Sequence, residues 1–189
     1  MKKKTFKELW TIEKSLTWGK ISGTSIKNAV QVYTRSDSCG AAETWAHYLG
    51  KKQEDLKGVG VYGDPGLADA VKRDAYGVGY NNLNYAYDAK TGLPVAGIQI
   101  IAIDVNENGK IDTNEDLSTK EKAIKAVISG TYPSPPARDL YLITKENFKE
   151  PSKTFVKWIL TDGQKYVSEV GYIKITQKQI IESLKKIGK

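Results

Sequence analysis

The chain reads as an α/β protein. Three observations carry this: strand-like and helix-like segments alternate, helix start and stop residues fall between them, and the composition is globular. Of 189 residues, 40% are hydrophobic and 27% charged. Val30-Gln31-Val32-Tyr33-Thr34 alternates apolar and polar and predicts a strand. Gly40–Leu49 predicts a helix, with Ala41, Ala42, Trp45, Ala46 and Leu49 at helical spacing and Gly50 as its stop. Val59–Tyr62 predicts a short strand. Asp64-Pro65 predicts an N-cap and a first-turn proline opening a helix to Arg73. Gly77–Tyr80 and the β-rich run Val95–Ile103 predict two further strands, and Glu121–Ile128 a helix.

Tyr132-Pro133-Ser134-Pro135-Pro136 interrupts the pattern, because prolines at this density fit neither a helix interior nor a central strand. It predicts a crossing between two structural units, residues 1–133 and 138–189. Beyond it, a strand is expected at Leu140–Thr144, helices at Ser152–Leu160 and Gly163–Val170, and a strand at Tyr172–Ile175. A last helix, capped by Thr176, presents Ile180, Ile181, Leu184 and Ile187 on one face. About fifty residues with so few large apolar side chains make a marginal core alone.

Composition excludes several chemistries. One cysteine and one histidine rule out an internal disulfide framework and any multi-histidine or cysteine-cluster metal centre. No apolar run reaches the roughly 18 residues of a membrane span. The start, Met1-Lys2-Lys3-Lys4-Thr5-Phe6, has no apolar stretch behind its lysines and is not a secretory signal. The formal net charge is +7, yet the lysines are interspersed with acids. Their densest groups lie at the ends, around Lys2–Lys4 with Lys7 and around Lys185, Lys186 and Lys189. No nucleic-acid partner is expected; a positive surplus equally suits steering of a small anion.

Arg35-Ser36-Asp37-Ser38-Cys39-Gly40-Ala41-Ala42 follows a strand and opens a helix, where unpaired amides and the helix dipole favour an anion. Arg35 offers a fork matched to a tetrahedral oxyanion, Asp37 can hold its guanidinium, Ser38 can donate, and Gly40 lets backbone approach a ligand. An ordinary capped helix with a surface Arg–Asp pair fits the motif equally well. Cys39 is an unsupported nucleophile. The single histidine, His47, lies two turns along the same helix, at about 1.5 Å per residue, beyond reach as its base.

The Arg-x-Asp-x-x-Gly junction resembles the phosphate loop of the phosphate-binding proteins that serve ABC importers, notably the archaeal-type members. Thr5–Trp10 with Thr17-Trp18-Gly19, Ala42–Gly50, Val61–Gly66, Gly79–Asn82, Tyr132–Arg138, Trp158–Gln164 and Gly171-Tyr172 extend the likeness over essentially the whole chain. The resemblance implies a type II periplasmic-binding-protein fold. Residues 1–133 would form the second lobe, a mixed sheet flanked by helices, and 138–189 a segment returning to the first. The first lobe's N-terminal half would precede Thr5. It also implies a non-catalytic protein located outside the cytoplasm and partnered by importer membrane subunits. Inorganic phosphate would be held at Arg35, Asp37, Ser38, Cys39, Gly40 and Ala41. Family members carry Ser and Thr where Cys39 and Ala41 stand, so two hydroxyl contacts are absent. With one lobe only, binding is expected to be weak, and a homodimer partner is an alternative cover for the exposed surface. Replacing Arg35 with Ala is expected to cost roughly 2–5 kcal/mol of affinity and little folding stability.

Asp104-Val105-Asn106-Glu107-Asn108-Gly109-Lys110-Ile111-Asp112-Thr113-Asn114-Glu115 fits the twelve-residue calcium loop, with ligand candidates Asp104, Asn106, Asn108, Asp112 and Glu115 and glycine at the sixth position. The preceding segment is strand-like rather than helical, and an Asn-Gly turn in a surface hairpin is the competing reading. Ca²⁺ is thus the one candidate cofactor, and a calcium-stabilised interaction domain the alternative function.

Overall fold

The computed structural model describes residues 1–12 and 15–188; Lys189 lies outside them. Two compact units emerge, Met1–Arg138 and Asp139–Lys189.

In the first unit, helix α1 (Lys3–Thr11) buries Phe6, Leu9 and Trp10, which recur at helical spacing. A short α2 (Trp18–Ser22) is capped by Thr17, whose side chain accepts from Lys20 N at 3.3 Å. Strand β1 (Gln31–Arg35) leads to α3 (Gly40–Tyr48), β2 (Val59–Val61), α4 (Gly63–Arg73) and β3 (Gly77–Val78). The three strands form a sheet of order β2-β1-β3, and both pairings are parallel. The sheet is therefore not mixed. Parallel strands joined through α3 and α4 are what the strand-helix alternation requires. Gly50, at φ +71°, takes the left-handed conformation that ends α3. A four-residue α5 (Leu83–Ala86) and α6 (Lys120–Ile128) complete the unit.

Its main core joins α1, β1, α3 and β3 through Phe6, Leu9, Trp10, Val32, Trp45, Leu49 and Val78. Trp10 sits edge-on to Trp45, with ring centroids 5.2 Å apart, and its indole donates to the Tyr33 carbonyl at 3.2 Å. A smaller cluster gathers Tyr87, Leu117, Ala123 and Ala126. There the Tyr87 hydroxyl donates to the Leu117 carbonyl at 2.6 Å.

The second unit contains α7 (Ser152–Leu160), α8 (Gln164–Val167) and α9 (Gln177–Ile187). Val156, Leu160 and Ile187 form its core, with Phe148, Ile175 and Leu184 packed against them. Thr176 caps α9 through a reciprocal box with Gln179. On the expected apolar face of α9, Ile187 is buried while Ile181 remains 46% exposed.

Four local expectations are corrected. Val95–Ile103 carries no ladder. Its end is held singly, by Asp104 N donating to Met1 O and the Met1 ammonium donating to Ala102 O. Leu140–Thr144 and Tyr172–Ile175 are likewise not strands, and Leu140 to Ile143 are all exposed. β-rich composition favours an extended chain, but a strand exists only with a partner. Finally, α4 begins at Gly63 with Tyr62 as its N-cap, so Asp64 does not cap. Its carboxylate is committed elsewhere.

Trp10 is 1% exposed and touches Phe6, Trp45 and Tyr80. Trp10→Ala is expected to cost about 3–5 kcal/mol of unfolding free energy. Urea unfolding followed by circular dichroism measures it, and a cost below 1.5 kcal/mol would mean this aromatic cluster is not the core of the unit.

Candidate functional site

The carboxyl end of the middle strand, β1, delivers Arg35 to the start of α3. Ligands of open α/β sheets bind at such strand ends. The Arg35 side chain is only 8% exposed and lies between two carboxylates. Its Nε and Nη2 donate to the two oxygens of Asp37 at 2.8 and 2.5 Å, and its Nη1 donates to Asp64. Asp64 also accepts from Asn82 Nδ2 at 2.5 Å, and its carbonyl accepts from Asn81 Nδ2. Asp37 accepts further from Gly63 N at 3.1 Å. Hydrogen bonding to Asp37 holds the Arg35 guanidinium protonated well beyond its ordinary range. The Arg35 and Gly63 donors in turn push the Asp37 carboxyl well below the usual carboxylate range.

The loop between Arg35 and α3 is pinned by Gln53. Its Nε2 donates to the Asp37 carbonyl at 2.8 Å, and its Oε1 accepts from Cys39 N at 3.2 Å. Cys39 is the N-cap, and its thiol sulfur accepts from Ala42 N at 3.5 Å. Four amides were candidates for an anion, and Cys39 and Ala42 already have acceptors. The Gly40 and Ala41 amides and the Ser38 hydroxyl meet no acceptor among the described residues. These are the first-turn donors that a helix leaves for a cap, water or ligand.

A second arginine stands there. A Cβ at Gly40 would overlap the Cζ, Nη1 and Nη2 atoms of Arg138, so the guanidinium lies directly against the first residue of α3. Gly40 thus makes room for a cation rather than only for a ligand. Arg138 is exposed and forms no ion pair with a described residue. A guanidinium against the positive end of a helix is unfavourable until an anion joins them.

The structure therefore brings Arg35, Asp37, Ser38, Cys39, Gly40 and Ala41 together, and adds Asp64, Gln53 and Arg138. No local motif joins these three to the anion loop, because each arrives from a separate segment of the chain. Arg35 does not wait unpaired for a ligand; two carboxylates hold it. The hollow between Ile103, Glu115 and Tyr132 and the one beside Thr17–Lys27 involve none of residues 35–41. Tyr80 stacks on Trp45, and its hydroxyl bonds Thr34 and Arg35 N, so it supports β1 from the core; Tyr87 is buried. His47 projects into solvent from the last turn of α3.

The 104–115 loop lies apart from the anion loop in sequence. Among the described residues, no three His, Cys, Asp or Glu side chains are gathered for a metal. Both oxygens of Glu115 accept backbone amides, from Val105 at 2.7 Å and Asp112 at 3.2 Å, so it closes the loop rather than standing open as a ligand.

Residues 2–163 match the PBP superfamily domain, and the chain belongs to the PBP (periplasmic-binding-protein) superfamily. The phosphate-binding protein PstS of Methanocaldococcus jannaschii is 31% identical over 137 residues, covering 58% of this chain and 33% of that protein. A solved phosphate ABC transporter substrate-binding protein from Clostridium perfringens, with bound phosphate, superposes with a TM-score of 0.66 at 19% identity. It matches 93% of this chain and 63% of its own. A possible phosphate-binding protein from Planctomyces limnophilus gives 0.54 at 16% identity, over 100% and 63%. The chain spans a third of the curated relative and under two thirds of either solved structure. The α/β lobe is that of a periplasmic binding protein, and the relatives are described as binding proteins.

The depressed Asp37 fixes a pH signature. Its folded pKa lies below its unfolded value, so its contribution is fully present above about pH 4 and is lost as pH falls through the folded pKa. The stability difference between wild type and Asp37→Asn should be flat from pH 7 to about 4 and shrink in stronger acid. Urea titrations at stepped pH measure it; a difference that stays constant into acid would show the carboxylate is not charge-paired.

Proposed function

We propose that the chain binds inorganic phosphate as part of a solute-binding protein of an ABC importer, working outside the cytoplasm and without catalysis. The observation that carries this is the pair of amides at Gly40 and Ala41 beneath Arg138, where neither the amides nor the arginine has a partner among the described residues. The named function of the M. jannaschii relative and the bound ligand of the C. perfringens protein support the choice of anion.

In this reading phosphate sits at the N-terminus of α3. The Gly40 and Ala41 amides and the Ser38 hydroxyl donate to its oxygens, Arg138 supplies positive charge, and Arg35, oriented by Asp37 and Asp64, faces it from the strand end. Cys39 contributes backbone position and not a hydroxyl. Asp37 shapes the site through Arg35 and does not itself meet the anion. Residues 1–133 form one lobe and 138–189 contribute to the other. Remaining phosphate contacts and the docking face for the membrane subunits come from chain outside these residues or from a second copy. Binding by these 189 residues alone is accordingly weak.

Amide resonances of the 189-residue chain test this directly. Phosphate should move the Gly40 and Ala41 signals saturably, and chloride at equal ionic strength should not. Absence of movement at these two amides, or equal movement with chloride, would overturn the reading. Arg138→Ala should weaken binding by up to about fivefold, the scale of one exposed ion pair, while leaving the melting temperature unchanged. Arg35→Ala, by contrast, should lower both binding and stability, because it leaves Asp37 and Asp64 facing each other without their shared cation. That revises the expectation of an intact fold.

A further inference from the structure

The 104–115 loop holds a buried carboxylate whose chemistry is unfinished. Asp104 is 3% exposed. Its Oδ2 accepts from Gly109 N, at the loop's centre, at 2.9 Å, which turns the carboxylate into the loop. Its Oδ1 is buried and has no hydrogen-bond partner among the described residues, although the Met1 ammonium attracts the carboxylate through space. Leaving such an oxygen without a donor or a cation is costly, and native proteins complete nearly all of them.

The surrounding groups are oxygen-rich. Asp112 Oδ2 accepts from the side-chain amides of Asn106 at 2.7 Å and Asn108 at 3.0 Å, so the third, fifth and ninth loop positions already meet. The side-chain oxygens of Asn106 and Asn108 accept from Asn108 N at 3.1 Å and Lys110 N at 2.8 Å, and each amide oxygen keeps a second lone pair for a cation. Glu115 ties the loop's two ends through Val105 N and Asp112 N. The loop carries Asp104, Glu107, Asp112 and Glu115 against Lys110 alone. Two other positive groups are near, and both are engaged. Lys2 Nζ donates to the Glu107 carbonyl at 2.7 Å, and the Met1 ammonium to the Ala102 carbonyl at 2.6 Å. Neither bonds Asp104 Oδ1.

We propose that this loop binds one calcium ion through Asp104 Oδ1 and the side-chain oxygens of Asn106, Asn108 and Asp112. Backbone carbonyls and water complete the six to eight oxygens that Ca²⁺ takes. Half of the side-chain ligands are amides, so a ready carboxylate triad is not needed. The absence of sulfur and nitrogen donors disfavours zinc and copper, and the flexible mixed-oxygen loop suits Ca²⁺ better than the strict octahedron of Mg²⁺. The inference stands apart from phosphate binding and uses none of its residues.

Chelator-treated protein, titrated with CaCl2 and followed by calorimetry and thermal unfolding, decides it. One ion per chain should bind with a Kd of about 10⁻³ M or tighter and raise the melting temperature, and MgCl2 should do so less. Asp104→Asn should weaken binding at least about tenfold through loss of ligand charge. Since Asp104 is buried, the exposed pair Asn106→Ala/Asn108→Ala and the single Asp112→Asn serve as variants that keep the fold measurable. They should weaken it comparably. A folded, chelated protein indifferent to Ca²⁺ would overturn the proposal. So would a Ca²⁺ response that survives all these substitutions.

Discussion

The arrangement at the carboxyl end of the sheet depends on one cation shared by two carboxylates. Arg35 ends β1, Asp37 lies in the loop that follows, and Asp64 belongs to the first turn of α4. A single guanidinium therefore sets the spacing between a strand, a loop and a helix that are separate in sequence. The planar fork suits this task, since its donors point in fixed directions that a lysine could not reproduce. Asp64 does not cap α4; its carboxylate pairs with Arg35 and accepts from Asn82.

This has an electrostatic corollary for the anion loop. Arg35 with Asp37 and Asp64 carries a net negative charge, so Arg35 alone does not make the strand end attractive to an anion. The favourable potential has to come from neutral amides at α3 and from Arg138. Division of this kind separates geometry from attraction. The ion cluster ties the frame together, and in the proposed function the Gly40 and Ala41 amides and the exposed arginine are left to meet the anion.

Local grammar was legible in the sequence, and long-range partners were not. The start of α3, its glycine stop and the Thr176 cap of α9 are read from neighbouring residues, and the structure has them at Gly40, Gly50 and Thr176. Phe6, Leu9 and Trp10 also carried helical spacing, but α1 has no side-chain cap to announce it. The β-rich segments at 95–103, 140–144 and 172–175 show the opposite failure. Their residues favour strands, yet whether a second strand lies alongside is decided elsewhere in the chain. The anion loop was legible as a motif, while Asp64, twenty-nine residues from Arg35, and Arg138 were invisible to any local pattern. The same distinction explains the 104–115 loop: spacing nominated its ligands, and only burial exposed the unsatisfied oxygen of Asp104.

Residues 140–143 have a consequence of a different kind. Leu140, Tyr141, Leu142 and Ile143 are exposed at 63, 77, 52 and 87%, and no backbone hydrogen bond joins them to another described residue. An exposed apolar run whose amides and carbonyls lack backbone partners among the described residues can template intermolecular pairing. The colloidal behaviour of the isolated chain then depends in part on four residues outside the proposed anion loop. Charge placed on that run is expected to raise solubility.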